Sequence, residues 1–346
     1  MQFGFCFCLA VQSILKFKKV LPSFSGSFLF LPKPVTMDDE MALECRMFGR
    51  RLKNPIVLAS GVLGMTKESL MRVCDEGCGT VTSKSLSMEP RAGHDGPNIV
   101  ETECGLLNAM GYPNPGIDAG LEEFGGWTRD EALIISIVGK DAKEFAKLAA
   151  KAEAVGKGLG ATAIEAALSC PHTPGYGMMA GQGDPKCVGE ITRAIKGETK
   201  LPLIIKLSPS VPGEVKAAKA AEDAGADAIN MGNSLGPGMK IDINRKRPVL
   251  GFGVGGLTGP AIKPIMVRCV YDIYKEVEIP ILGTGGITSG TDAIEMMMAG
   301  ASWAGVGSAA YYRGTGAFGK IAEEMEQWMA ANGCSRLEKI VGAAHE

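Results

Sequence analysis

Eight short apolar runs recur along the chain, at 55–59, 80–83, 133–138, 162–168, 203–207, 226–231, 280–283 and 303–306. Helical patterns follow most of them. The stretch 141–155 puts Phe145, Leu148, Ala149, Ala152 and Val155 on one face behind Asp141 as an N-cap, and similar helices are expected over 212–224, 290–299 and 318–331. Strands this apolar need cover on both faces, and strands alternating with helices supply it by wrapping the helices around a parallel sheet. Eight repeats with no break in composition predict a single (β/α)8 TIM barrel, with a doubly wound sheet as the alternative. Ahead of it, 42–53 alternates around a glycine, as a short N-terminal hairpin would.

The 346 residues carry 36 basic and 38 acidic side chains, a formal charge of −2, and no basic stripe interleaved with aromatics. That argues against nucleic acid and for small-molecule ligands. None of the ten cysteines falls in a CxxC pair or a Cys/His cluster of zinc spacing, so a reduced, cytoplasmic protein without its own metal is expected. Residues 3–15 are apolar but shorter than the roughly 20 residues of a membrane span, and no basic segment precedes them. Met37 opens an acidic start, so 1–36 reads as an extension outside the fold, or else a targeting or anchoring piece, and 37–346 as one domain.

In a barrel of this kind the loops leaving the strand ends line one shared mouth, and chemistry-bearing residues there are candidates for a site. Cys170 ends the run 162–168 and opens a glycine- and methionine-rich segment, 172–185. Its thiol is a candidate base or nucleophile, against the alternative of a small buried apolar residue. Leu282-Gly-Thr-Gly-Gly-Ile287 and Gly305-Val-Gly-Ser308 end the last two strands. Glycines admit an anion close to backbone amides and a following helix start adds its dipole, so Gly285, Gly286, Gly307 and Ser308 are expected to grip a phosphate; tight turns alone are the alternative. Lys84 and Lys206 end two further strands and would bring fixed positive charge to the mouth. Asn108, Asn233 and Ser234 are expected in loops beside it, although asparagines are also turn formers.

These residues together resemble the dihydroorotate dehydrogenase family. The likeness rests on Asn54-Pro-Ile-Val-Leu-Ala-Ser-Gly61, Ser83-Lys-Ser85, Leu107-Asn-Ala-Met-Gly111, Leu168-Ser-Cys-Pro171, Lys206-Leu-Ser-Pro209, Gly255-Gly-Leu-Thr-Gly-Pro-Ala-Ile-Lys-Pro264 and Gly283-Thr-Gly-Gly286, in the family's order and spacing. It runs from about Ala42 to the last helix, and the stretch from Gly259 into Val270-Tyr-Asp-Ile-Tyr274 is closest to the class 1B catalytic subunit. The resemblance implies an FMN-bearing barrel that oxidises dihydroorotate to orotate in pyrimidine biosynthesis. By position, Ala59, Ser60, Gly61, Lys84 and Ser85 would lie by the flavin, Lys206 at its N1 and O2 edge, and Gly285, Gly286, Gly307 and Ser308 at its phosphate. Lys84, Asn108, Met110, Gly111, Asn233, Ser234 and His172 would surround the substrate, with Cys170 as the base and Lys206 as the second catalytic group.

Two positions depart from that pattern. Glu165-Ala-Ala-Leu-Ser-Cys-Pro-His172 stands where the family reads Glu-Leu-Asn-x-Ser-Cys-Pro-Asn, so two asparagines that grip orotate are Ala167 and His172 here. A buried substrate amide that loses its partner costs about 1–3 kcal/mol, enough to shift specificity. A flavin oxidoreductase for another dihydropyrimidine, cyclic amide or enone is therefore a second reading, and a flavin-free phosphate-binding isomerase or lyase a third. The chain has no CxxC-rich iron-sulfur segment and no second dinucleotide fingerprint, which implies a separate iron-sulfur flavoprotein subunit or a soluble electron acceptor. A homo-oligomer is expected.

Overall fold

The computed structural model describes residues 43–168, 175–176, 182–210 and 213–345. The extension 1–36, Met37, Cys170 and His172 lie outside the described residues. The described residues open on an antiparallel hairpin, β1 (Cys45–Met47) and β2 (Arg50–Leu52), turned through Phe48 and Gly49 at φ 49° and 83°. Next come β3 (Ile56–Leu58), α1 (Lys67–Asp75), β4 (Thr80–Thr82), β5 (Ile99–Thr102), β6 (Gly105–Asn108) and α2 (Ile117–Glu123). The middle of the chain forms β7 (Ala132–Ile137), α3 (Ala142–Leu159), β8 (Ala161–Ala167), α4 (Pro185–Lys196), β9 (Leu203–Leu207), α5 (Glu214–Asp223) and β10 (Ala228–Met231). It is followed by β11 (Leu235–Gly238), β12 (Ile241–Asp242), β13 (Arg247–Pro248), β14 (Gly255–Thr258), α6 (Lys263–Tyr274), β15 (Ile281–Thr284), α7 (Gly290–Met298), β16 (Trp303–Val306), α8 (Ala309–Arg313) and α9 (Ala317–Ala331).

Strands β3, β4, β7, β8, β9, β10, β15 and β16 close a parallel barrel in chain order, β16 pairing back onto β3. Each of the eight apolar runs supplies one of them. The long helix α3 starts where its cap was read: Asp141 Oδ1 accepts from the Glu144 amide at 2.8 Å and Glu144 reaches back to the Lys140 amide. Phe145, Leu148, Ala149 and Ala152 are buried as expected, but Val155 is 42 % exposed, and the helix runs on to Leu159.

Side chains on a strand alternate between faces, so barrel-interior residues recur every second position. Val57, Ala132, Ile134, Ala163, Ile204, Ala228, Leu282 and Trp303 fill the base of the barrel, and Met47 and Leu52 of the hairpin seal it from below. Two residues farther along five of these strands the interior turns polar, at Ser136, Glu165, Lys206, Asn230 and Thr284, all buried. A small antiparallel sheet, ordered β11-β14-β6-β5, stands apart from the barrel strands. It corrects the expectation that Asn108 lies in a loop, because Asn108 ends β6 and pairs with Gly256 of β14. Its strands Leu235–Gly238 and Gly255–Thr258 are glycine-rich and half-exposed, so no apolar alternation announces them.

Candidate active site

The carboxyl ends of the barrel strands surround a cavity of about 680 Å³. Ala59, Ser60 and Gly61 line it after β3, Lys84 and Ser85 after β4, Lys206 from β9, Asn233 and Ser234 after β10, Gly285 and Gly286 after β15, and Gly307 and Ser308 after β16. Asn108, Met110 and Gly111 enter from the small sheet. Every candidate within the described residues therefore reaches one cavity. Ala167, at the end of β8, lines it too, with a methyl group where an amide was expected from the family pattern.

At one end the two glycine turns lie side by side. Gly285 and Gly286 adopt φ 128° and 77°, and a Cβ on Gly286 would stand 2.5 Å from Lys263 Cβ and 2.8 Å from its backbone. Glycine is required there by both conformation and space. A Cβ on Gly307 would instead project into the open cavity, with its nearest neighbours Ala59 and Val62 at 3.7 and 3.8 Å. Among the described residues, no protein acceptor takes the amides of Gly285, Gly286, Gly307 and Ser308. The helix dipole expected behind the first turn is a correction. The start of α7 is already occupied: Asp292 accepts from the Thr288 and Ser289 amides at 2.9 Å each, and Glu324 from Gly290 at 2.7 Å. What this end offers the cavity is the loop amides themselves.

Below the cavity the polar interior layer is fully connected. Lys206 Nζ donates to Ser60 Oγ at 3.0 Å, and Ser60 donates to Glu165 Oε1 at 2.7 Å. Ser136 donates to the same oxygen at 3.0 Å and takes part in a 2.9 Å bond with Ser85. Asn230 Nδ2 donates to Glu165 Oε2 at 2.6 Å, while Thr284 donates to Asn230 Oδ1 at 2.9 Å. A buried cation and a buried anion are thus linked through one serine, as buried charges must be to persist. Sequence reasoning passed over Glu165, Ser136, Asn230 and Thr284, although each is a polar residue within or directly after an otherwise apolar run.

At the other end Lys84 is 7 % exposed and held by its backbone, whose amide donates to Gly64 O at 2.8 Å. The ring of Tyr112, a further lining residue that the sequence reading did not single out, has its centroid 5.6 Å from Lys84 Nζ. Asn108 Nδ2 donates to Ser234 Oγ at 3.2 Å and to Gly256 O at 3.1 Å, so what Asn108 offers a ligand is its carbonyl oxygen. Tyr176, buried, stacks its ring under Arg91 at 4.6 Å and lies 5.9 Å from Tyr112. Among the described residues no group of His, Cys, Asp and Glu could hold a metal ion, and no helix is long and apolar enough to cross a membrane.

A family model described as dihydroorotate dehydrogenase matches residues 42–329. The chain is 45% identical over 306 residues to the catalytic subunit of dihydroorotate dehydrogenase B (NAD(+)) of Pyrococcus furiosus, covering 88% of this chain and 100% of that one. The like-named subunit of Pyrococcus horikoshii is 47% identical over 302 residues, covering 87% and 97%. That of Methanocaldococcus jannaschii is 44% identical over 313 residues, covering 89% and 99%.

Proposed function

The chain belongs to the dihydroorotate dehydrogenase family, and from that membership we propose that it is a flavin-dependent oxidoreductase that converts dihydroorotate to orotate, with FMN as the flavin. The observation that carries the reading is the meeting, in one cavity, of two buried lysines and four backbone amides that no protein acceptor takes among the described residues. The residues present fit the cofactor. Gly285, Gly286, Gly307 and Ser308 would hold a monophosphate, and the space that a side chain at 307 would fill is left open for it. Ala59, Ser60, Gly61 and Ser85 would flank the ring system, and Lys206 would meet the ring edge where negative charge gathers.

The bound flavin supplies a hydride acceptor. The chain's own residues do the rest. Cys170 takes the proton from the carbon beside the substrate carbonyl, and the thiol must first lose its own proton. A cysteine titrates near about 8.5, so turnover should rise with pH toward that range unless neighbours lower it. Lys84 offers positive charge to a substrate carboxylate, while Asn108, Asn233 and Ser234 match the polar edge of a pyrimidine, with Met110 and Gly111 completing its surroundings; the family pattern would add His172 to them. The wall at Ala167 favours a second reading, another dihydropyrimidine in the same pocket. Purified protein given dihydroorotate and dihydrouracil in parallel tests the choice. Bleaching of the flavin by dihydroorotate at the higher rate supports the first, and bleaching by dihydrouracil alone overturns it.

The relatives are named catalytic subunits, and we infer that this chain too hands electrons to a separate subunit, an iron-sulfur flavoprotein. Co-purification with such a partner, and NAD reduction that depends on it, is the expected result.

A further inference from the structure

Glu165 is a charge placed where packing alone would place an apolar side chain. It is fully buried in the barrel interior, on β8, one pleat above Ala163 of the apolar base. Its carboxylate meets donors from three sides: Ser60 and Ser136 on Oε1, Asn230 on Oε2. The direction of two of these bonds is set by the next group out. Thr284 donates to Asn230 Oδ1 and so turns the amide nitrogen toward Glu165. Lys206, which can only donate, gives a hydrogen to Ser60 Oγ, which leaves the hydroxyl hydrogen of Ser60 for Glu165. Two of the three partners are thereby fixed as donors to the Glu165 carboxyl group, and the third, Ser136, shares its hydroxyl with Ser85 at 2.9 Å.

Lys206 is 4 % exposed, and its ammonium stands 3.9 Å from Glu165 Oε1, beyond a direct hydrogen bond, with Ser60 between them. Stability does not account for such a pair, since well-packed apolar residues in its place are often neutral or stabilising. A role in the chemistry above it does. We propose that Glu165 is a positioning residue and counter-charge that, through Ser60 and Lys206, sets the reduction potential of the bound flavin. The proposal rests on the flavin reading above. A lysine facing the cavity favours negative charge on a ligand, and left alone it would hold the reduced cofactor so firmly that onward electron transfer suffers. An anion at 3.9 Å offsets part of that field, and the serine bridge fixes how far the ammonium leans into the cavity.

The test is the potential of the flavin in the purified holoenzyme, read by equilibration against reference dyes in the wild type, Glu165→Gln, Lys206→Met and the double variant. Glu165→Gln should shift the reduced-to-oxidised ratio upward by tenfold or more, about 30 mV for a two-electron couple. Lys206→Met should shift it downward, and the double variant should lie between the two. A merely structural residue would not give opposite signs that offset each other. Each single change strands a buried charge, so Glu165→Asp is made alongside: it keeps the charge but withdraws it from Ser60, and a smaller upward shift is expected. The double variant removes both charges and is expected to melt above either single one. A reduced-to-oxidised ratio in Glu165→Gln and Glu165→Asp within threefold of wild type, or below it, overturns the proposal while flavin stays bound. A colourless wild-type protein would instead overturn the flavin reading itself.

Discussion

The two ends of the barrel are built from the same eight strands and spend them differently. At the base, Val57, Ile134, Ile204, Leu282 and Trp303 meet Met47 and Leu52 in a dry plug. Outside it, Lys53 and Arg129 bind Glu131 at 2.9 and 3.0 Å, and Arg50 ties the hairpin to the backbone of Arg129 and Asp130. At the mouth, one pleat higher, the interior holds a carboxylate, an ammonium, an amide and four hydroxyls, and glycines replace side chains in the turns. Trp303 and Gly305 make the contrast within a single strand. Trp303 fills the base and donates from Nε1 to Arg46 O, whereas a Cβ on Gly305 would fall 1.9 Å from Thr284 Oγ1. The lesson is a division of labour: the base supplies stability that the polar mouth draws on.

That division can be broken from either side. The largest effect is expected at the mouth. Cys170→Ala should lower flavin reduction by substrate about 10²- to 10⁴-fold, the range of a lost general base, while the melting temperature and bound flavin stay at wild-type levels. Reduction at the wild-type rate in rapid mixing would make Cys170 a structural residue. At the base, Trp303→Ala should do the reverse. Loss of a fully packed indole and its hydrogen bond should remove about 3–5 kcal/mol of stability in urea unfolding, with turnover per folded, flavin-loaded molecule nearly unchanged. A turnover loss as large as the stability loss would mean that the two ends are not separable.

Between these lies the glycine grip. Gly286→Val forces a side chain into Lys263 and demands a φ that branched residues avoid. We expect flavin affinity to fall by about tenfold to a hundredfold, 1.4–2.8 kcal/mol, with the barrel still folded by circular dichroism. Stoichiometric flavin in that variant would remove the phosphate assignment.

The same division governs how much was legible in the sequence. Barrel strands announce themselves because burial on both faces makes continuous apolar runs, and glycine turns do so because few other residues can take their place. The glycine-rich strands of the small sheet pass unnoticed, since Leu235–Gly238 and Gly255–Thr258 lack a periodic apolar face and form through pairing with distant segments. Glu165 was in view as part of a motif, yet its partners Ser60, Ser136 and Asn230 come from three other places in the chain, and only closure of the barrel brings them together. The dipole expected behind Gly286 failed for a local reason. Ser289 and Asp292 form a capping box and consume the helix start. Tyr112 lines the cavity from an irregular stretch at φ 57°, a conformation that pattern reading does not foresee for an aromatic residue.

The smallest expected effect is at the base and is read through pH. Burial alone would raise the Glu131 carboxyl, but hydrogen bonds from Arg129 and Lys53 outweigh it and hold the group at about 2. An unfolded chain would titrate this residue near about 4.3. A folded value below the unfolded one means that the pair stabilises the protein fully above about pH 5, and that this contribution drains away as pH falls toward 2. Glu131→Gln should therefore cost about 1–2 kcal/mol at pH 7, a figure already discounted for the solvent that reaches these side chains, and progressively less at lower pH. Unfolding curves of the two proteins at pH 7 and at about pH 3 check this: the gap between them should narrow in acid while turnover at pH 7 is unchanged. A gap that stays constant with pH would place the effect in packing, not in the ion pair. A change in turnover would show that the base reaches the mouth after all.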